Sequence, residues 1–180
     1  MVSPRESLRI VIAASEAVPF SKTGGLADVA GSLPPEIARL GHTVSVMTPF
    51  YRVVKKVEPK PKVIGEGLVA VGPEQVPFTL YQSAASKIGC QIYFIGADQY
   101  FDREGLYGTA KGDYEDSAAR FIFFSRACLM AAQMLKKPVD VWHCHDWQTA
   151  LIPIYLKLQM RTHEFFKQSA SVFTVHNIAY

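Results

Sequence analysis

The sequence predicts an α/β fold, in which a mostly parallel sheet carries helices on both faces and contains an inserted β-meander or hairpin. Two observations lead to this prediction. Short apolar runs alternate with segments of helical period in the first and last thirds of the chain, and three strand-like runs follow one another without a helix in the middle. With 180 residues, 49% of them hydrophobic, the chain is long enough for one well-buried core. We therefore expect residues 1–180 to form a single domain.

The beginning of the chain has the pattern of a strand–helix–strand unit. Residues 8–14 (LRIVIAA) form a continuous apolar run, which is typical of a strand buried on both faces. Residues 25–40 carry apolar side chains at close to helical spacing, and we expect Pro34 and Pro35 to kink or divide this helix. Residues 43–48 then form a second strand. Such a unit normally crosses over with a right hand and makes the two strands parallel.

The middle of the chain changes character. Residues 62–71, 76–85 and 90–95 are strand-like runs separated by glycine, proline and short polar links, which predicts a meander or hairpin attached to the sheet. The α/β pattern then returns, with a helix at 116–135, a strand at 139–144, a helix at 149–160 and a strand at 171–175.

Composition excludes several classes of protein. The net charge is only +3, and the basic residues are spread along the chain, so we expect no nucleic-acid partner. The apolar segments are too short or too interrupted to span a bilayer, so we expect no membrane partner. Cys90, Cys128 and Cys144 lack the spacing of a disulfide framework. Reduced thiols and the absence of a signal-peptide pattern predict a cytoplasmic location, and phosphate-bearing small molecules remain as partners.

Unusual polar residues follow three of the predicted parallel strands. In open α/β sheets, ligands bind outside the carboxyl ends of the strands, so we expect these residues to converge on one cleft. The first loop contains Lys22, Gly24 and Gly25 just before a helix, where backbone N–H groups, the helix dipole and an ammonium group favour an anion. It matches neither the dinucleotide-binding glycine motif nor the P-loop. Alternatively, the glycines only make a tight turn and Lys22 is solvated.

The second polar segment is His143-Cys144-His145-Asp146. Alternation along a strand places the two histidines on one face and Cys144 on the other. A His-x-His pair can bind a metal, but no further ligands accompany it at suitable spacing, so we expect no metal. In the alternative interpretation, Asp146 caps the following helix and the histidines are hydrogen-bonded polar groups at a strand end.

Two further segments carry candidate ligand-binding residues. His176 and Asn177 follow the last strand, where they either contact a ligand or bind loop backbone. Tyr107 lies on a glycine-flanked loop, and its ring can stack on a sugar or simply pack against the protein.

Four segments together resemble the glycogen and starch synthases. They are KTGGLADV at 22–29, RxGxY at 103–107, HxHDW at 143–147 and VHNIAY at 175–180. The first is highly specific, and the other three gain weight from their order and spacing. The resemblance extends over nearly the whole chain after residue 7.

This resemblance implies a Rossmann-like domain that forms the first half of a GT-B fold, in which two such domains face each other across a cleft. By this resemblance, we expect the C-terminal nucleotide-binding domain of the family to be absent from the given sequence. The implied reaction transfers glucose from ADP-glucose, or UDP-glucose, to the non-reducing end of an α-1,4-glucan with retention of configuration, without a cofactor or a metal. We expect the chain to be inactive alone, and its exposed domain face favours association into a homo-oligomer.

The resemblance also implies roles for individual residues. By similarity, His176 and Asp146 are catalytic, Lys22, Gly24, Gly25 and Asn177 bind the donor, and Tyr107 and Asp28 line the sugar or acceptor site. Gln148 departs from the family pattern, because many members carry histidine after Asp-Trp. Two alternatives remain open: another GT-B glycosyltransferase with different substrates, and a non-catalytic glucan-binding fragment.

Overall fold

A seven-stranded sheet forms the centre of the structure, a computed structural model that describes residues 7–85 and 89–178. The strands are β1 (Arg9–Ala13), β2 (Thr43–Pro49), β3 (Lys62–Val71), β4 (Glu74–Gln82), β5 (Cys90–Gly96), β6 (Gly108–Thr109), β7 (Gly112–Asp113), β8 (Val141–His145) and β9 (Ala170–Thr174). The central sheet has the order β3-β4-β5-β2-β1-β8-β9, and β6 pairs only with β7. Strands β5, β2, β1, β8 and β9 are parallel, whereas β4 is antiparallel to both its neighbours. The predicted parallel sheet with an inserted meander is therefore confirmed.

Helices cover both faces of this sheet. They are α1 (Gly25–Arg39), α2 (Arg52–Val57), α3 (Asp98–Phe101), α4 (Ser117–Met134) and α5 (Leu151–Leu158). Side chains of β1 alternate between the two faces, as the pleat requires. Ile12 packs in a cluster with Leu26 of α1, whereas Val11 belongs to the larger core that contains Phe124 of α4. The prediction of helices on both faces is thus confirmed.

The sequence-based prediction differs from the structure in helix α1 and in three short elements. Helix α1 continues through Pro34 and Pro35, so the predicted division of this helix is wrong. The prolines remove two backbone donors, but packing compensates, because Pro34 is buried against the sheet side of the helix. Helices α2 and α3 and the β6–β7 hairpin were not predicted, because such short elements show no periodicity.

The parallel strands bring three loops to one edge of the sheet. Ala13 aligns with Cys144 across the β1–β8 pair, and His145 aligns with Thr174 across β8–β9. The chain segments that follow these strands therefore leave the sheet side by side.

In the part of the chain that the structure describes, no helix is long and apolar enough to cross a membrane. Cys90, Cys128 and Cys144 are buried free thiols, as predicted.

Candidate active site

A cavity of about 470 Å³ lies at this edge of the sheet, between the loops that follow β1, β8 and β9. The predicted site residues that line it are Gly24, Gly25, Tyr107, Asp146, His176 and Asn177. Lys22 and Asp28 are not among the lining residues. The loops after β1, β8 and β9 therefore meet at one cavity, as predicted for the carboxyl ends of parallel strands, and the glycine turn and His176 both line it.

Gly24 and Gly25 open directly onto solvent-accessible space. A Cβ atom built at either position would meet no other described atom within 4 Å. Other glycines of the described chain have a positive φ, but Gly24 and Gly25 do not. Neither the backbone conformation nor the packing therefore requires glycine here. The interpretation as a tight turn alone leaves both glycines unexplained, whereas the close approach of a ligand to the backbone would explain them.

Lys22 and Asp28 form an ion pair at the rim of the site. The Lys22 Nζ lies 2.7 Å from both carboxylate oxygens of Asp28. Both side chains are about half exposed, at 51% and 55%. Lys22 is thus paired rather than simply solvated, but an exposed pair of this kind holds its partners weakly.

Glu16 is a site residue that the sequence analysis did not single out. It lies three residues beyond β1, is only 3% exposed and lines the cavity. Its carboxylate accepts hydrogen bonds from the backbone N–H groups of Thr23 and Gly24 and from the hydroxyl groups of Thr23 and Tyr107. The sequence shows only an acidic residue between a buried strand and a glycine turn. The residue type alone does not tell whether such a carboxylate is buried or lies at the surface.

Two arginines hold the loop of residues 102–107, called the Tyr107 loop, by hydrogen bonds. Arg103 donates to the Asp116 carboxylate at 2.6 and 2.7 Å. Arg120 of α4 is fully buried and donates to the backbone carbonyl groups of Tyr100 and Leu106. Burial lowers the pKa of the Arg120 guanidinium and raises that of the Tyr107 phenol, the latter with smaller contributions from Tyr51 and Glu16.

The glycine of the same motif is required by packing. A Cβ atom at Gly105 would lie 2.0 Å from the carbonyl oxygen of Gly108, which is far inside any allowed contact. Any other residue would therefore push the loop apart. The Tyr107 ring lies beside Phe121 of α4, with ring centroids 6.1 Å apart. Tyr107 thus both packs, as one interpretation predicted, and lines the cavity, as the other did.

Asp146 has a backbone conformation that is rare for any residue but glycine. Its φ is 57° and its ψ is 179°. Such strain persists only where surrounding contacts impose it. Its N–H donates to the carbonyl oxygen of Thr174 at 2.9 Å, and its Oδ1 accepts from the backbone N–H of His176 at 2.6 Å. The side chain makes no capping hydrogen bond to the 3-10 turn Trp147–Thr149, so the predicted helix cap is wrong for Asp146.

Three imidazole rings follow one another next to this residue, with His145 between His143 and His176. The ring centroids of His143 and His145 are 4.2 Å apart, and those of His145 and His176 are 5.1 Å apart. The Nδ1 of His145 lies 2.8 Å from the Nε2 of His176, and the Nε2 of His143 lies 2.8 Å from the Thr174 hydroxyl oxygen. The two strand histidines are therefore on one face and hydrogen-bonded, as predicted.

Burial favours the neutral form of the two strand histidines, His145 and His143. His145 is fully buried, and desolvation, followed by the nearby His143 and His176, lowers its pKa to about 3. Desolvation also lowers the pKa of His143, with a smaller effect from His176. In residues 7–85 and 89–178 we find no group of His, Cys, Asp or Glu side chains arranged to hold a metal ion.

Gln148, which departs from the family pattern, also lines the cavity. It is 7% exposed, and its Oε1 has no hydrogen-bond partner among the described residues. Trp147 lines the cavity as well, and its ring packs edge-on against Phe121 with ring centroids 5.0 Å apart.

An open, mostly parallel sheet with its cavity at the carboxyl ends of the strands defines this chain as a Rossmann-like α/β domain. A family model described as the starch synthase catalytic domain matches residues 9–180, and the chain belongs to this family. The predicted family assignment is therefore confirmed.

Individual relatives agree with this assignment. The chain is 46% identical over 173 residues to a glycogen synthase of Koribacter versatilis, covering 96% of this chain and 35% of the relative. It is 42% identical over 174 residues to a glycogen synthase of Syntrophotalea carbinolica, covering 96% and 36%. Among solved structures, the catalytic domain of starch synthase IV from Arabidopsis thaliana, bound to ADP and acarbose, matches with a TM-score of 0.77 and 28% identity, covering 97% of this chain and 35% of that one. The chain thus spans about a third of the length of these relatives.

Proposed function

We propose that this chain is the N-terminal domain of a glucosyltransferase that extends α-1,4-glucan. The donor is ADP-glucose, the acceptor is the non-reducing end of the glucan, and the anomeric configuration is retained. The observation that carries the proposal is the pair of glycines, Gly24 and Gly25, which open onto the cavity without any conformational or packing need for glycine. The Arabidopsis starch synthase is bound to ADP and acarbose, which supports an adenine nucleotide and a sugar as ligands.

The departing diphosphate is assigned to the N-terminus of α1. The first N–H groups of a helix have no partner within the helix, and the helix dipole favours negative charge there. Because the Gly24 N–H donates to Glu16, we assign the nearest backbone contact to Gly25. Lys22 supplies the cation, since its exposed pair with Asp28 is worth at most about 1 kcal/mol and is readily exchanged for a phosphate. Such groups stabilise the negative charge that develops on the leaving group.

The glucose is assigned to the other wall of the cavity. The Asp146 carboxylate holds the backbone of His176 at 2.6 Å, and the imidazole of His176 is held by His145 at 2.8 Å. His176 is thereby oriented from two directions while remaining exposed to the cavity. We assign His176 to the transferred glucose, with Asn177 beside it, and Tyr107 and Asp28 to the sugar or acceptor side.

The test is glucan elongation by the full-length protein. We expect ADP-glucose to lengthen glycogen, with an α-configured product by NMR, and UDP-glucose to serve less well. Lys22→Ala should lower turnover about a hundredfold, because one oriented charge on the leaving group is lost. Lys56→Ala, on the exposed face of α2, is the matched control and should leave turnover unchanged. Near-native turnover of Lys22→Ala would remove Lys22 from the mechanism.

A second variant tests the glycine turn directly. Gly25→Ala adds a methyl group in open space at the start of a helix, so the free energy of unfolding should stay the same or rise slightly. The methyl group would nevertheless keep a phosphate from the backbone, so the KM for ADP-glucose should rise at least tenfold. If elongation fails with both donors while the 180-residue chain binds maltoheptaose in calorimetry, the non-catalytic glucan-binding alternative is correct.

A further inference from the structure

The buried carboxylate of Glu16 lies between two loops that form one wall of the cavity. Its Oε2 accepts the N–H groups of Thr23 and Gly24, the latter at 3.3 Å. Its Oε1 accepts the hydroxyl groups of Thr23 and Tyr107, each at 2.6 Å. Within residues 7–85 and 89–178, no lysine, arginine or histidine forms a salt bridge with it. Its charge is therefore balanced by four hydrogen bonds and by the N-terminus of α1.

An arrangement of this kind is costly unless every donor is in place. A buried carboxylate without a cation is stable only when hydrogen bonds replace its water shell. We infer that Glu16 is a positioning residue, which joins the glycine turn to the Tyr107 loop and so fixes two walls of the cavity with one side chain. This inference rests on the proposed function for its consequence in catalysis, but not for its structural part.

On the side of the glycine turn, Glu16 decides which backbone N–H groups face a ligand. The N–H groups of Thr23 and Gly24 are turned towards Glu16 and cannot serve an incoming phosphate at the same time. The anion site therefore begins at Gly25. Without the carboxylate, the two preceding N–H groups would lose their acceptor and the turn would lose its fixed direction.

On the side of Tyr107, Glu16 fixes the ring through its hydroxyl group. The phenol donates to Glu16 and accepts from the Ser15 hydroxyl at 2.7 Å. Tyr107 makes no hydrogen bond with Thr23 or Gly24 in the described part of the chain, so Glu16 is the hydrogen-bonding link between the two loops. Because Glu16 is 3% exposed, it acts on a ligand through these neighbours.

Hydrogen exchange of the full-length protein tests the coupling. Glu16→Gln retains the shape of the side chain, but its NH2 group cannot accept a hydrogen bond. We expect amide exchange at least tenfold faster in both segments, 22–25 and 104–108. Glu58→Gln is the matched control, because Glu58 also accepts a hydrogen bond from a loop hydroxyl, that of Ser83, outside the cavity. Faster exchange in only one segment, or in neither, would overturn the inference.

A second variant keeps the test decisive if Glu16→Gln does not fold. Tyr107→Phe removes one hydroxyl group, and exchange at Thr23 and Gly24 should rise, although Tyr107 does not bond with them. Unchanged exchange there would overturn the inference.

Kinetics then separate the inference from the proposed function. Misplacement of the turn and the ring should lower the kcat/KM of Glu16→Gln about tenfold to a hundredfold. Adding Tyr107→Phe should lower it little further, because both changes break the same link. Fully independent effects of the two substitutions would contradict the coupling. A wild-type protein without transferase activity would count against the proposed function, whereas the exchange result decides the positioning role on its own.

Discussion

The two walls of the cavity are built in opposite ways. On the wall formed by the glycine turn after β1 and the Tyr107 loop, the buried Glu16 carboxylate accepts the Tyr107 hydroxyl, and the buried Arg120 donates to the carbonyl groups of Tyr100 and Leu106. On the wall that follows β8 and β9, His176 and Asn177 are exposed, and the backbone of Asp146 is strained. The first wall is therefore fixed before any ligand arrives, whereas the second retains groups that a sugar can engage.

The position of each wall in the sheet explains this difference. Strand β1 lies between β2 and β8, so the loop after it is surrounded by other elements. Strand β9 is the last strand of the described sheet, and its Val172 and Phe173 are 48% and 43% exposed. Under the proposed function, the fixed wall would hold the departing diphosphate and the open wall the glucose that is transferred.

The largest effect is expected from removing the support of the fixed wall. Arg120→Met leaves the carbonyl groups of Tyr100 and Leu106 buried without their donor, at a cost of about 1–3 kcal/mol each. We expect the free energy of unfolding in guanidinium chloride to fall by about 2–5 kcal/mol. Arg126→Met is the control on the same helix, because the Arg126 guanidinium lies over the ring of Tyr155 at 4.8 Å and its Nε has no hydrogen-bond partner among the described residues, so the loss should be about 1 kcal/mol. Equal losses would show that the two arginines play the same structural part.

On the open wall, the next largest effect should appear in catalysis. Asp146→Ala removes the acceptor for the His176 N–H, and we expect kcat of the full-length protein to fall about a hundredfold. Asp146→Asn keeps an oxygen in that place and should stay within about tenfold of the wild type. If both variants lose the same activity, the charge of Asp146 matters more than its hold on His176.

Much of the fold could be predicted from the sequence, because its signals are strong. Continuous apolar runs mark buried parallel strands, and each predicted strand of the central sheet is present within a few residues of its predicted bounds. The continuous helix through Pro34 and Pro35 could not be predicted, because local propensity speaks against it and only packing on the sheet outweighs that.

The site was less predictable than the fold. The prediction of parallel strands implied that the residues after them would meet, since the carboxyl ends of parallel strands lie at one edge of the sheet. It did not predict that Glu16 would be buried, nor that Asp146 would bind the backbone of His176 instead of capping a helix. Both depend on which side chain is nearest in space after the loops have folded, and no local spacing encodes that.

An effect on stability that grows only as the pH falls should follow from the neutral His145, which lies next to His176. Its pKa falls from the ordinary 6.5 to about 3 in the folded protein, so below pH 6.5 the unfolded chain takes up a proton that the folded chain does not. The free energy of unfolding should therefore decrease as the pH falls from 6.5 towards 3, by up to about 1.4 kcal/mol per pH unit. His145→Asn should flatten this dependence. An unflattened slope in His145→Asn would contradict the assignment.

The smallest effect is expected at the rim, where Lys22 and Asp28 belong to neither wall. Because both side chains are about half exposed, at 51% and 55%, a double-mutant cycle with Lys22→Met and Asp28→Asn should give a coupling below about 1 kcal/mol in the free energy of unfolding. A weak pair is what the proposed function needs, since Lys22 must leave Asp28 to meet a diphosphate. A coupling above about 2 kcal/mol would mean that the pair is part of the fold, and Lys22 would then be no more available to a ligand than the buried groups of the fixed wall.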